Sequence, residues 1–448
     1  MADTLENLTS QMLAAAKSAG ALAADAIAVS GKSLSIDVLQ GKLEHAERAE
    51  GVDIGLRVLI GQRQACVSSS DINPKTITEM AERAVAMARE APEDAAIGLA
   101  EPSQLAQNWD LAGLELADEA PEPKPNVLEQ DALEAEAAAM SVKDVAQVQG
   151  ASAGYSSREI QLATSNGFNA GYQRTGRSIS CVAISGEGLS MERDYAGESR
   201  TFQSDLPGAR EIGLLAGERA VSRMNPTRPP TGAYPVLFDE RISSSLIGHL
   251  LAAINGASIV RGSSWLRDAL GMQVLPQGMT LTEDPFRARI SGSKPFDGEG
   301  LPVSARDIVK DGVLTGWTLD LSTARQLDME STANAARGTS SPPSPSSGNM
   351  DLSLGSQSRA ELIADMGTGL IVTSMIGSSI NATTGDYSRG ASGFWVENGE
   401  ITGPVNECTV AGNLRDMLLN MRAADDARDH LSRRIPSLLV EGLTIAGG

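Results

Sequence analysis

The first clear pattern along the chain is an amphipathic helix followed by strands of alternating polarity. In residues 4–19, apolar residues recur at three- and four-residue steps, and Gly20 follows them, as expected where a helix ends. Alternation then predicts strands at residues 25–30, 33–39, 51–60 and 63–69, with Gly41 and Gly61 in the turns. Asn73-Pro74 opens a second amphipathic helix, which should run to about residue 91.

The middle of the chain repeats this mixture of helices and strands. Residues 115–126 are acidic with alternating prolines, which indicates an extended linker or a domain edge. Beyond them, helices are predicted at residues 127–140 and 206–224, and strands at 145–151, 159–164, 171–175 and 178–185. Ser165-Asn166-Gly167 suits a hairpin turn. This half therefore predicts an α+β fold, in which helices lie beside an antiparallel sheet.

The C-terminal half is richer in strands and turns, and a proline cluster at Pro226, Pro229 and Pro230 precedes it. We therefore predict an N-terminal α+β domain at residues 1–225, with a subdivision near 115–126, and a C-terminal domain at 226–448. Asp311-Gly312 and Asn398-Gly399 lie between apolar pairs and predict hairpins. Strands at 370–375 and 438–445 and a short helix at 413–421 complete a strand-rich domain, in which we expect a curved or barrel-like sheet enclosing the helix described next.

An apolar strand at residues 234–238 leads into a helix predicted at residues 242–255. Asp239-Glu240 suits the helix N-cap, and Asn255-Gly256 suits its C-terminal end. The helix carries Ser244, Ser245 and His249, on which any chemistry here would depend. Residues four apart share a helix face, so a nucleophilic Ser-His pair stays open, although no acidic third member is identifiable. The alternative is a half-buried histidine of no special role, beside small residues that permit close packing.

Composition narrows the classes of function. The chain has 448 residues, enough for two or three domains with cores of their own. A formal net charge of −20 and only 3% aromatic residues argue against direct nucleic-acid binding. We expect no signal peptide, no membrane span and a cytoplasmic location. The three cysteines, Cys66, Cys181 and Cys408, are widely separated, which fits a reducing compartment without structural disulfides.

A segment at residues 339–349 contains three prolines and five serines. Such a composition predicts a surface loop that forms no packed element. Two interpretations of this segment remain open: a loop that faces a substrate or partner, and a disordered surface loop.

Five short motifs follow one another along the chain. They are PTGAYPV at residues 230–236, FDGEG at 296–300, STAN at 331–334, SPPSPS at 341–346 and NATTGDY at 381–387. Together they give nearly the whole chain a resemblance to the TldD/PmbA family of peptidase-related proteins, also called modulators of DNA gyrase. Each motif is weak alone, but their order along the chain resembles the PmbA (TldE) type.

Active members of that family carry H-E-x-x-x-H on the helix that follows the apolar strand, with two zinc-binding histidines and a catalytic glutamate. Laid on this sequence, the motif begins at Ser244 and Ser245 and ends at His249. A hydrolytic zinc needs about three protein ligands, and a serine hydroxyl replaces neither an imidazole nor a general base at neutral pH. These three are therefore degenerate motif positions, and we expect no catalytic residue and no metal in this chain. Active relatives also use a C-terminal cysteine as a ligand, and whether Cys408 corresponds to it stays open.

The resemblance implies a non-catalytic, PmbA (TldE)-like subunit of a cytosolic metallopeptidase that degrades or trims unfolded peptides. Such a chain would hold no cofactor itself and would pair with a TldD-like, zinc-bearing subunit or with a second copy of itself. The alternative is a stand-alone hydrolase that uses Ser245 and His249 or a metal site that the sequence does not reveal.

Overall fold

The computed structural model describes residues 4–447, apart from the side chain of residue 378. Its helices are α1 (Leu5–Ala19), α2 (Pro74–Glu90), α3 (Leu111–Leu114), α4 (Pro125–Ser141), α5 (Ala209–Ser222), α6 (Glu240–Ala253), α7 (Gly256–Val260), α8 (Leu321–Gln326), α9 (Arg359–Met366) and α10 (Leu414–Leu419). Its strands are β1 (Ala23–Leu39), β2 (Lys42–Ile60), β3 (Arg63–Ser69), β4 (Val145–Thr164), β5 (Asn169–Ser185), β6 (Glu192–Arg200), β7 (Gly232–Phe238), β8 (Leu281–Glu283), β9 (Arg306–Lys310), β10 (Val313–Leu314), β11 (Ala335–Ala336), β12 (Ser344–Pro345), β13 (Met350–Leu352), β14 (Gly369–Ile380), β15 (Asp386–Glu397), β16 (Glu400–Asn413), β17 (Met421–Ala423), β18 (Arg433–Arg434) and β19 (Leu438–Ala446). This mixture confirms the predicted α+β class.

The first half of the chain builds one antiparallel sheet in the order β3-β2-β1-β4-β5-β6, called the N-terminal sheet below. Several strands predicted as separate pieces are continuous. Gly31 lies opposite Gly51 of β2 and Arg158 of β4, so β1 runs unbroken from residue 23 to residue 39. Pairing on both edges supplies the hydrogen bonds that hold this segment extended, although its own sequence interrupts the apolar alternation.

Helices cover one face of the N-terminal sheet. Leu8 and Met12 of α1 share a core with Ile54 and Leu56 of β2, as the amphipathic pattern predicts. Farther along, α4 and α5 pack so closely that a Cβ on Gly213 would lie 2.0 Å from the carbonyl oxygen of Ala135. The other face of the sheet is thereby left for the C-terminal half of the chain.

The C-terminal half contains a closed sheet. Its strands run in the order β16-β15-β14-β7-β19, and pairing between β16 and β19 closes them into a five-stranded barrel, with β17 beside β19. This confirms the barrel-like sheet, and both predicted hairpins form, as β9-β10 and β15-β16. Helix α6 follows β7, and its Leu246, Ile247 and Leu250 share a core with Phe238 of β7 and Val372 of β14.

Two local predictions need correction. Asn255-Gly256 does not close α6, which ends at Ala253; instead Asn255 caps α7, because its side chain accepts a hydrogen bond from the Ala257 amide at 3.0 Å. The segment at residues 339–349 does form packed structure. Ser344–Pro345 pairs with β11, Asn349 is fully buried, and the Thr339 backbone lies so close to Gly55 that a Cβ there would meet it at 2.2 Å.

The N-terminal sheet and the C-terminal half meet at a buried ion cluster. Asp25 of β1 accepts hydrogen bonds from Arg57 of β2 and, at 2.9 Å, from Nε of Arg337, which follows β11. Burial alone would raise the pKa of Asp25, but the two guanidinium groups outweigh it and hold that pKa below its ordinary value. Within residues 4–447, no helix is both long and apolar enough to cross a membrane.

Replacing Gly213 by alanine tests the contact between α4 and α5. Alanine is favoured over glycine inside a helix by about 1 kcal/mol. Here the added methyl group would strike the Ala135 carbonyl oxygen, and overpacking costs about 1–3 kcal/mol. We therefore expect Gly213→Ala to lower the urea midpoint of unfolding. Gly403→Ala is the matched control, since a Cβ there meets no atom within 4 Å, and it should not lower the midpoint. A midpoint raised by Gly213→Ala would contradict the close contact.

Candidate functional site

Helix α6 is fixed at its N-terminus by a network of charges. The Asp239 side chain caps the helix by accepting from the Arg241 amide at 3.2 Å. Arg241 in turn donates to Asp194 of β6 at 3.1 Å, and Arg359 donates to Asp239 at 2.9 Å. Glu240 pairs with Arg428 at 2.6 Å. These contacts set the helix between the N-terminal sheet and the barrel, so its serines and histidine are rigidly positioned.

The three serines of α6 differ in their surroundings. Ser243 is fully buried, and its hydroxyl lies 3.3 Å from the Ile435 carbonyl oxygen, to which it donates. Ser244 is half-buried. The Ser245 hydroxyl oxygen is buried and finds no hydrogen-bond partner among residues 4–447. Ser243 therefore has a structural role, and Ser245 is the polar group that the fold leaves unsatisfied.

His249 is half-buried, as predicted, and lies against the ring of Tyr387 at 5.8 Å between centroids, edge to face. Burial lowers the pKa of His249, and the charge of Arg389 lowers it further, so the imidazole is neutral at pH 7. Its Nε2 is buried without a hydrogen-bond partner in the described chain, and so is the Ser245 oxygen. The two side chains thus make no hydrogen bond to each other, and a nucleophilic pair requires one.

The residues around α6 do not fit a catalytic zinc. In residues 4–447, no group of three or more His, Cys, Asp or Glu side chains is arranged to hold a metal. Cys408 is buried in β16, and its thiol donates to the Ala391 carbonyl oxygen at 3.2 Å. Burial raises the pKa of Cys408 to about 11.

Two of the five sequence motifs, FDGEG and STAN, lie at the junction between the two halves, whereas PTGAYPV leads into β7 and NATTGDY ends at Tyr387 beside His249. Asp297 of the FDGEG segment accepts from the backbone amides of Glu299 and Leu301, both at 2.9 Å, and from that of Ala335 at 3.1 Å. Asn334 of the STAN segment donates to Glu283 at 2.8 Å. These two motifs therefore build the backbone of the junction, and neither of them contributes a residue to α6.

Glu299 is an unusual carboxyl group within this junction. It is 7% exposed and accepts a hydrogen bond from the Leu321 amide at 2.9 Å. Burial, together with the neighbouring charges of Asp297 and Asp320, raises the pKa of Glu299 to about 8. Burial also raises the pKa of Asp297, so the pair does not hold two full negative charges at neutral pH.

A cavity of about 470 Å³, called the junction cavity below, opens beside these carboxyl groups. Its apolar wall includes Ile27 and Val29 of β1, and its polar lining includes Arg158, Arg174 and Lys294. A wider cleft of about 1080 Å³ shares Val29, Arg158 and Arg174 with the cavity and runs along the N-terminal sheet to residues 428–432. Neither the junction cavity nor the cleft is predictable from the sequence, because the residues that line them come from distant segments without a common spacing.

The fold thus combines a five-stranded barrel, with the strand–helix unit β7-α6 beside it, and a helix-covered antiparallel sheet. Family models described as PmbA/TldA metallopeptidase domain 1, central domain and C-terminal domain match residues 24–88, 116–224 and 231–447. The chain belongs to the PmbA/TldD family, which confirms the resemblance found in the sequence.

Individual relatives agree along the whole chain. It is 35% identical to the metalloprotease PmbA of Escherichia coli O157:H7, over 98% of this chain and 95% of that protein. It is 36% identical to a PmbA homologue of Haemophilus influenzae, over 96% and 94%. A crystal structure from Bacteroides thetaiotaomicron, described as a modulator of DNA gyrase, superposes with a TM-score of 0.91 at 27% identity, over 99% of this chain and 100% of that one. The fold also matches TldE of Thermococcus kodakarensis, with a TM-score of 0.84 at 20% identity, over 98% of this chain and 100% of that one.

The raised pKa of Glu299 predicts a stability that falls as the pH rises. In the unfolded chain Glu299 has the ordinary glutamate pKa of 4.5, so the folded chain holds this proton more tightly. Between about pH 4.5 and pH 8 the unfolded chain loses the proton while the folded chain keeps it, and the stability present at low pH is lost over that range. We expect Glu299→Gln to raise the free energy of unfolding more at pH 9 than at pH 5, measured by urea titration at each pH. Glu44→Gln, at an exposed position of β2, is the control and should change neither value appreciably. An equal effect of Glu299→Gln at both pH values would contradict the assignment.

Proposed function

We propose that this chain is the non-catalytic, PmbA (TldE)-like subunit of a cytosolic TldD/TldE-type metallopeptidase complex that degrades or trims unfolded peptides. The observation that carries the proposal is the donor set of α6, where serines stand at the first two motif positions and His249 lacks a second ligand. Zinc would belong to a TldD-like partner. Membership of the PmbA/TldD family supports the peptide substrate, and three free cysteines support a reducing compartment.

The cleft along the N-terminal sheet supports a role in holding peptide. It is large enough for an extended chain, and residues of β1, β2, β4, β5 and β6 line it. A second copy of this chain could occupy the place of the TldD-like subunit, but such an assembly would still have no complete zinc motif. The heterodimer is therefore the form that we propose as active.

The stand-alone hydrolase is the weaker alternative. It requires Ser245 and His249 to share a hydrogen bond and a third group to orient the imidazole. In this structure neither the Ser245 hydroxyl oxygen nor His249 Nε2 has a hydrogen-bond partner within the described chain. The charge that acts on His249 is the cation of Arg389. No observation at α6 favours nucleophilic chemistry.

Mixing the chain with a zinc-bearing relative tests the proposed function. We expect the isolated chain to bind less than one zinc per molecule by elemental analysis and to cleave no unfolded peptide. A mixture with a relative that carries H-E-x-x-x-H should cleave it and should lose activity with a chelator. His249→Ala in this chain should leave the activity of the mixture unchanged, whereas alanine at a motif histidine of the relative should abolish it. Stoichiometric zinc in the isolated chain, lost on His249→Ala, would contradict the proposal.

Restoring the first two motif residues should not create an enzyme. Ser244→His with Ser245→Glu supplies one imidazole and one carboxylate ahead of His249, but a soft third ligand must also lie about 2.3 Å from zinc. Cys408 is held by the Ala391 carbonyl oxygen, and the ring of Tyr387 packs on His249. Groups that orient metal ligands are worth about 10–100-fold in affinity, and His249 Nε2 has no hydrogen-bond partner in the described chain. We therefore expect weak zinc binding and no measurable hydrolysis from the isolated double variant. Robust, chelator-sensitive cleavage would overturn this expectation, and the single variant Ser244→His is the control for zinc binding alone.

A further inference from the structure

The junction cavity carries a charge opposite in sign to that of the whole chain. Four cationic side chains line it, and only two carboxylates do so. The cations are Arg158, Arg174, Lys294 and Arg337, and the carboxylates are Asp53 and Asp297. In a chain with a formal net charge of −20, such a local excess of cations favours an anionic ligand.

Three of the four cations meet no carboxylate in the described chain, whereas Arg337 pairs with Asp25. Within residues 4–447, Arg158 makes no hydrogen bond or ion pair, and Lys294 reaches only the Ala333 carbonyl oxygen at 3.5 Å. Arg174 donates to the carbonyl oxygens of Ser291 and Ser293 and meets no carboxylate. Arg337 has a side chain only 1% exposed, and its Nη2 is buried without a partner in the described chain.

A buried donor without an acceptor is costly, and Nη2 of Arg337 is such a donor, so an acceptor supplied by a ligand would be favourable here. Burial lowers the pKa of Lys294, and the facing charges of Asp297 and Glu283 oppose that effect, while those of Arg306 and Arg174 add to it. The carboxylate of Asp297 is already occupied by three backbone amides. A bound anion would therefore meet free donors on Lys294, Arg158 and Arg337.

The remaining walls define the rest of the ligand. Ile27, Val29, Ile160 and Phe296 form an apolar side, and Phe296 is braced edge to face by Tyr172 at 5.5 Å. A volume of about 470 Å³ lies in the range of small-ligand pockets. Because the cavity continues into the cleft along the N-terminal sheet, a ligand held at its anionic end can extend outward as a chain.

We propose that the junction cavity binds the C-terminal carboxylate of a peptide together with its last apolar side chain, while the rest of the peptide lies in the cleft. This assignment rests on the proposed function only in taking a peptide as the ligand. The chain would thereby hold the free C-terminal end of a peptide. The ligand class is a peptide with a terminal carboxylate and an apolar last residue.

Peptide binding to the isolated full chain tests this site. The probe is a short Gly/Ser peptide that ends in Leu-Phe, labelled at its N-terminus and followed by fluorescence anisotropy. We expect the free acid to bind about tenfold or more tightly than the C-terminal amide, because charge-assisted hydrogen bonds are lost with the amide. Lys294→Met and Arg158→Gln should each weaken binding of the acid and reduce the difference between acid and amide.

The controls separate the site from general charge effects. Lys310→Met removes an exposed cation of β9 that lies outside the cavity and should leave the difference intact. Arg158 is exposed, so its variant is expected to fold even if Lys294→Met does not. Equal affinity for acid and amide, no binding of either, or an undiminished difference in Arg158→Gln would overturn the assignment. Because binding is measured without a partner, such a failure leaves the peptidase activity of the mixture as a separate test of the proposed function.

Discussion

The two halves of this chain depend on one buried carboxylate, that of Asp25. It lies 2% exposed on β1 and accepts hydrogen bonds from Arg57 in the same sheet and from Arg337 in the C-terminal half. Removing one partner of such a buried cluster costs about 3–5 kcal/mol, because the other charge is left uncompensated. Arg337 also donates to the Gly338 and Ser341 carbonyl oxygens and so fixes the segment that packs over Gly55. The ion cluster thus holds the halves together and shapes one wall of the junction cavity.

The polar network extends from this cluster into the short motifs that gave the sequence its family resemblance. Asp297 and Glu299 accept backbone amides from three separate segments, and Glu283 accepts from Asn334, Arg306 and the Gly348 amide. Buried carboxyl groups used in this way fix loops that have no regular structure of their own. The FDGEG and STAN motifs therefore specify the architecture of the junction.

Sequence patterns predicted those helices and turns whose conformation is determined by neighbouring residues. The amphipathic face of α1, the Asp311-Gly312 hairpin and the Asn398-Gly399 hairpin follow from neighbouring residues, and each forms as expected. Features that depend on distant partners were not predictable in the same way. The continuity of β1 through Gly31 comes from pairing with two other strands, and the packing of residues 339–349 comes from contact with β2. The positions of Ser244, Ser245 and His249 on one helix were predictable, but their missing hydrogen bonds were not.

Two buried carboxyl groups of raised pKa lie together at the junction, which bears on how the chain would work in the proposed complex. Catalysis requires an acid or base whose pKa is matched to its task, and such groups cluster at functional sites, although structural networks also shift pKa values. On α6, the pKa of His249 is lowered by burial and its Nε2 has no hydrogen-bond partner in the described chain, while Glu240, whose pKa burial raises, is paired with Arg428. At the junction, buried carboxyl groups of raised pKa lie beside a lysine whose pKa burial lowers. An environment that leaves cations unpaired next to an apolar wall is suited to holding an anion. In that complex, the binding of a peptide end and the cleavage of its backbone would therefore be carried by different chains.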